Sequence, residues 1–207
     1  MKNPYQVIKD FEAAMCEYTG APYAVAVESC SAALFLCCKF AQVLLLPEVF
    51  VPRITYPSVP AGIVNAGGRV RFFDDPEWQS RGYYRLFPTD IYDSAKYLAR
   101  NMYVDIDNGM VCLSFHAKKA IPIGRGGMIL TDDSAAASWL RLARFDGRHE
   151  AALHTDEIAM IGWNMYMEPE QAARGLQLMQ WLPDKVLLPP DPYQDLSKYD
   201  FYTKANR

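Results

Sequence analysis

Apolar residues change their period several times along this chain, and each change predicts an element. Val7, Ile8, Phe11 and Met15 recur at helical spacing, with Gly20 as a stop shortly after. Tyr23–Val27 is a continuous run that reads as a buried strand. Ser29 and Ser31 can cap the helix that follows, from about Ala32 to Leu45. Phe50, Val51 and Pro52 form a second short strand, and Pro57 and Pro60 suit the start of another helix. Val70–Phe73 reads as a third strand, ended by Asp74, Asp75 and Pro76. Ile91 and Tyr92 read as a fourth, leading to Asp93 and a short helix. Met110–Phe115 and Met128–Leu130 complete the strands, and a helix runs from about Ser134 to Phe145. After Arg148 the pattern thins to one helix, about Glu168 to Met179, and a proline-rich tail from Leu182 to Arg207 with no second core.

Strands alternating with helices predict an α/β domain with a mostly parallel sheet over residues 1–150, followed by a helix and extended tail over 151–207. Ligands of such sheets bind beyond the carboxyl ends of the strands. Four polar segments fall at those ends: Ser29–Ala32, Thr55–Tyr56, Asp93–Lys96 and Ser114–Lys119. That coincidence weighs more than any one of them.

Composition narrows the classes. A chain of 207 residues suits one medium domain with a sizeable core. Hydrophobic residues at 51% and charged ones at 22% argue against disorder. A net charge of -3 leaves no broad basic surface and argues against a nucleic-acid partner. The five cysteines form no CxxC pair, and their odd number leaves one over in any disulfide scheme. The apolar stretch 32–46 is short and interrupted by Lys39 and Gln42, so it reads as a buried helix and not a membrane span. Residues 1–6 carry no apolar signal core. A reducing, cytoplasmic setting is the expectation. His116, His149, His154 and the cysteines lack zinc spacing, and no metal is expected.

The stretch Ser114–Gly127 is the richest in chemistry: a strand, a turn with Lys118 and Lys119, a loop with Gly124, Gly126 and Gly127, then another strand. A lysine at a strand exit beside glycines suits a Schiff-base lysine, which implies pyridoxal 5'-phosphate (PLP). PLP needs that lysine, a phosphate anchor, an acid facing the pyridine nitrogen and a support for the ring. The helix start at Ser29–Leu34 offers free N–H groups and a favourable dipole to the phosphate. Asp93 supplies an acid and Tyr56 an aromatic ring. Plainer readings stand beside these: Lys119 as surface charge, Asp93 and Ser31 as helix caps, Tyr56 as a core ring. Arg141, Arg144 and Arg148 with Asp146 read most simply as a solvated helix end.

Six ordered segments resemble the DegT/DnrJ/EryC1/StrS sugar aminotransferases, PLP enzymes of fold type I. Phe11–Glu12 through Tyr23–Val27 looks like the family's opening helix and strand, and Glu28–Leu34 resembles its N-S-G-T-A-A-L phosphate loop. Pro52…Thr55-Tyr56 is similar to P-x-x-T-[FY], and Asp93-Ser94-Ala95 to D-A-A. Ser114-Phe115-x-x-x-Lys119 before Gly124-x-Gly126-Gly127 resembles S-F-x-x-x-K-x-x-x-x-G-E-G-G. Gly162-x-Asn164…Gln171-Ala172-Ala173-x-Gly175 resembles G-x-N-x-R…Q-A-A-x-G.

The resemblance implies a three-layer α/β/α large domain with the C-terminal small domain reduced to a tail. It implies Lys119, not Lys118, as the cofactor lysine and proton carrier, Asp93 as the pyridine-nitrogen acid and Tyr56 as the stacking ring. Ser31, Ala32 and Ser114 would hold the phosphate, and Asn164 would reach the phosphate of a partner subunit in a homodimer. The implied reaction moves an amino group from an amino acid, glutamate, to a nucleotide-linked keto-sugar, as polysaccharide biosynthesis requires. Two rivals remain: a non-catalytic protein binding PLP or a sugar nucleotide, and a PLP sugar dehydratase, whose branch replaces the lysine. Several positions depart from the pattern: Cys30 for glycine, Lys96 for glutamine or histidine, Arg125 for glutamate and Tyr166 for arginine. Residues 76–92 are also too few for the strand–helix units that usually precede the acid.

Overall fold

The computed structural model describes residues 3–104 and 109–205. Helix α1 (Gln6–Thr19) ends at Gly20, whose positive φ of 77° turns the chain and lets its N–H cap Cys16 O. Strand β1 (Tyr23–Val27) leads into α2 (Cys30–Phe40), capped by the Ser29 hydroxyl, which accepts from Ala32 N. The helix stops short of the predicted Leu45. Gln42 takes a left-handed φ of 50°, and a single 3-10 turn at Val43–Leu45 buries Val43 and leaves Leu44 and Leu45 outside. Then come β2 (Val49–Pro52), α3 (Ser58–Asn65), β3 (Val70–Phe73), α4 (Trp78–Arg81), β4 (Tyr84–Arg85), β5 (Ile91–Asp93) and β6 (Tyr97–Ala99). Strands β7 (Met110–Ser114) and β8 (Gly127–Thr131), helices α5 (Ser134–Ala143) and α6 (Pro169–Met179), β9 (Lys185–Leu187) and α7 (Asp200–Lys204) complete the chain. No helix among the described residues is long and apolar enough to cross a membrane.

The sheet differs from the mostly parallel one expected. Five strands run in the order β1-β8-β7-β5-β4, and only the β5/β7 pair is parallel. The parallel pair β2/β3 stands apart and touches the main sheet through one bridge, Phe50 to Phe87. The reason is chain length. Parallel neighbours need a crossover of a dozen or more residues, usually helical. A helix-free turn joins β7 to β8, and β4 joins β5 as a hairpin, so both reverse direction. No helix follows Asp93 either; a turn leads from it to β6.

Alternation along the strands builds three layers. Val25, Val27, Cys112 and Ile129 pack with α2, α3 and α5, whereas Ala24, Ala26, Val111, Leu113, Met128 and Leu130 pack with α1 and α6. Each fully buried side chain such as Phe11, Leu36 or Ile129 contributes about 1.5–3 kcal/mol. Gly175 explains the close approach of α6 to α1, since a Cβ there would lie 2.6 Å from the Phe11 ring. The arginine-rich helix end is solvated at Arg141 and Asp146, as expected, but not at Arg144. Arg144 is 1% exposed and donates to Glu12, to Ala26 O and to Glu150, while Glu12 also accepts from Ala26 N at 2.8 Å. This buried pair ties α1 and β1 to the end of α5.

The tail folds back onto the body. Strand β9 pairs antiparallel with β6, Leu196 N bonds to Arg53 O, and Tyr202 meets Phe72 edge to face. Among its described residues it adds no core of its own, and Leu196 is the one buried in the body.

Candidate active site

A cavity of about 1030 Å³ opens beyond the carboxyl ends of β1, β5 and β7. The loop after β1 reaches it first. Cys30 and Ser31 open α2 ahead of its first internal bond, so their N–H groups face outward at a positive helix end. This loop lies flat on β8 because residue 127 is glycine: a Cβ there would come within 2.4 Å of Ser29 C. Ser29, not Ser31, is the cap; Ser31 sits within the first turn and donates its hydroxyl to Ser58 at 2.7 Å. Ala32 N is taken by that cap, which leaves the amides of Cys30 and Ser31 for an anion.

The β7–β8 turn brings the lysine. Its two legs are held by Phe115 N to Gly126 O (2.9 Å), Gly124 N to Phe115 O (3.2 Å) and Lys119 N to His116 O (2.9 Å). Lys118 is exposed and Lys119 half-buried. Both line the cavity, yet it is the charge of Lys119 that reaches Asp93, Cys30 and Asp191. Ser114 closes β7 beside them and also lines the cavity.

Asp93 ends β5 at the cavity floor, 7% exposed. Burial pushes its carboxyl above the usual range, while the Ala95 N–H, the Tyr84 hydroxyl and the Lys119 charge pull it back. It does not cap a helix; Ala95 N meets Oδ1 across a turn at 2.9 Å. Cys30, where the resemblance expects glycine, has its thiol pushed well up by burial and by Asp93.

Tyr56, 56% exposed, lines the cavity with its ring edge-on to Tyr193 at 6.1 Å. Asn164 does not join this group. It lies on the surface and donates to Asp146 Oδ2 at 3.0 Å. The wall that sequence reasoning missed comes from the tail. Leu188, Pro189, Asp191 and Tyr193 line the cavity, and Lys96, 2% exposed, donates to Pro189 O and to Asp191 Oδ2 (2.9 Å). Partial burial opposes ionisation of Asp191, but bonds from Lys96 and Tyr193 and the charges of Lys96 and Lys119 outweigh it and hold the carboxyl below its usual range. Tyr193 also stacks on Trp78, at 6.2 Å and 9°. A run of prolines gives no periodic signal, so nothing in the sequence marked 188–193 as wall. At the rim Arg125 pairs with Glu28 at 2.7 Å, linking the glycine loop to the α2 loop.

A buried acid, a lysine within its electrostatic reach, a helix start and an aromatic ring around one cavity fit the demands of PLP. Known proteins carry the comparison further. A model of the DegT/DnrJ/EryC1/StrS aminotransferase family matches residues 1–78 and 105–187. The unmatched span holds Tyr84, Asp93 and Lys96. The spore coat polysaccharide biosynthesis protein SpsC of Bacillus subtilis is 26% identical over an alignment of 226 positions, covering 86% of this chain and 57% of SpsC. Among solved structures, Helicobacter pylori PseC, an aminotransferase involved in the biosynthesis of pseudoaminic acid, superposes with a TM-score of 0.69 at 18% identity. It is matched over 88% of this chain and 64% of its own. AtS13 of Actinomadura melliaura gives 0.69 at 20%, over 85% of this chain and 60% of its own. Likeness at that identity establishes the fold, and the chain spans about three fifths of the length of these relatives. With the family pattern running through both the α2 loop and the lysine turn, the chain belongs to the DegT/DnrJ/EryC1/StrS aminotransferase family.

Proposed function

We propose that this chain is a PLP-dependent aminotransferase that moves an amino group from an amino acid, glutamate, to a nucleotide-linked keto-sugar. The observation that carries the reading is the meeting of Lys119 and Asp93 in one cavity at the start of α2. Bound PLP supplies an electron sink for the carbon that loses its proton. Lys119 Nζ would anchor the cofactor, and its freed amine would carry a proton from the donor carbon to the cofactor and, in the reverse sequence, from the cofactor to the sugar carbon. The Asp93 carboxylate holds a proton on the pyridine nitrogen. The amides of Cys30 and Ser31, with the hydroxyl of Ser114, would bind the phosphate, and Tyr56 would cover the ring. Asn164, exposed and away from this cavity, suits a contact across a homodimer axis, where it would reach the partner's phosphate.

The test begins with the visible spectrum of the protein mixed with PLP. We expect a yellow band that borohydride fixes covalently, absent from Lys119→Ala. Transfer of the label from amino-labelled glutamate to a nucleotide keto-sugar would complete it. No band in a folded protein would overturn the reading. A band without transfer to any keto-sugar would favour a PLP-binding protein that does not catalyse.

A further inference from the structure

Asp93 does not stand alone in its pocket. Its Oδ2 accepts the hydroxyl of Tyr84 at 2.9 Å, and Tyr84 is its direct partner across the β4/β5 hairpin. The Tyr84 oxygen in turn lies 2.6 Å from Thr55 Oγ1. Tyr84 has one proton to give. Spent on Asp93, it leaves the phenol oxygen free to accept from Thr55, so the three groups form a directed chain from Thr55 to Tyr84 to Asp93. Thr55 is 1% and Tyr84 3% exposed, so water does not compete. Neither residue lines the cavity, whereas Asp93 does. The Trp78 indole fixes the phenol ring edge-on at 4.9 Å and is itself tied to Ile54 O.

A donor aimed at one oxygen of a buried carboxylate stabilises its ionised form and fixes its plane. An ionised acid opposite a pyridine nitrogen favours the protonated nitrogen. A neutral or rotated one does not. Tyr84 stands in the β4–β5 hairpin, within the span outside the family match.

We propose that Thr55 and Tyr84 are positioning residues that hold Asp93 ionised and oriented, so that the site selects a cofactor ring able to carry a proton on its nitrogen. This rests on the PLP reading above.

The experiment compares the affinity of the protein for PLP and for its 1-deaza analogue, in which C–H replaces the pyridine nitrogen. Wild type should prefer PLP. Tyr84→Phe keeps the ring and removes the hydroxyl; it should lose about tenfold of that preference while its affinity for the analogue stays unchanged. Thr55→Val should move the ratio the same way by less, and it serves if Tyr84→Phe fails to fold. An unchanged ratio, or both affinities falling in step, would overturn the proposal and leave Tyr84 a packing residue. Wild type that binds PLP through Lys119 with an unmoved ratio in both variants sinks this inference alone. Wild type that binds neither compound sinks the PLP reading and this inference with it.

Discussion

The β7–β8 turn and the β4–β5 hairpin bring their side chains to the same cavity by opposite routes. The turn that presents Lys119 is held within residues 115–126 by its own backbone bonds and flanked by strands paired over their length. The hairpin that presents Asp93 pairs over two residues and leans on β7; its carboxylate is met by Tyr84 and through it Thr55, and Lys96 just after it holds the tail. One side of the site is built from local sequence, the other from contacts made across most of the chain. Placing a reactive group and walling it in are separate structural problems, solved here by different parts of the molecule.

Three further changes would break or sharpen that contrast. The largest effect should fall on the frame behind β1 and β8. Arg144→Met strands the buried Glu12 carboxylate and should cost about 3–5 kcal/mol in denaturant unfolding. A loss under about 1 kcal/mol, as surface pairs give, would mean that this frame is not rigid. Next comes the wall. Lys96→Met removes the donor to Asp191 and Pro189 O and should cost about 1–3 kcal/mol. Limited proteolysis should then cut near 188–193 much faster than in wild type; unchanged protection would show that β9 and the Leu196 contacts hold the tail without Lys96. The smallest effect concerns Asp93. Burial makes it bind its proton more tightly folded than unfolded, so its contribution to stability falls as pH climbs from about 3.9, the unfolded value, through the raised folded one. Asp93→Asn should remove that slope from the stability–pH curve of the cofactor-free protein and make it more stable at neutral pH. A slope that persists in the variant would place its source elsewhere.

Legibility follows the same divide. Ser29–Ala32, Lys119 and the glycines of its turn could be read because strand, cap and loop signals are local and Gly127 has a backbone reason to be glycine. Asp93 was readable as a residue at a strand end, but not the turn that follows it. Sheet direction was misjudged because the β7–β8 turn and the β4–β5 hairpin reverse the chain where crossovers were expected, and periodicity does not report direction. Arg144 was misread as surface because its partner Glu12 lies 132 positions away. Tyr84, the tail and the burial of Lys96 were out of reach for the same reason: a buried lysine looks like any lysine until the residue that neutralises it is located.

The pairing of Lys96 with Asp191 spans 95 positions. Closing so large a loop carries an entropic cost that the short β7–β8 turn does not bear, and distant pairings form late in folding. The Lys119 turn, closed within residues 115–126, would therefore form before the tail settles. A cofactor present during refolding would meet the Lys119 turn before the tail encloses the cavity, so its rate of capture and its rate of escape would be governed by different stretches of the chain.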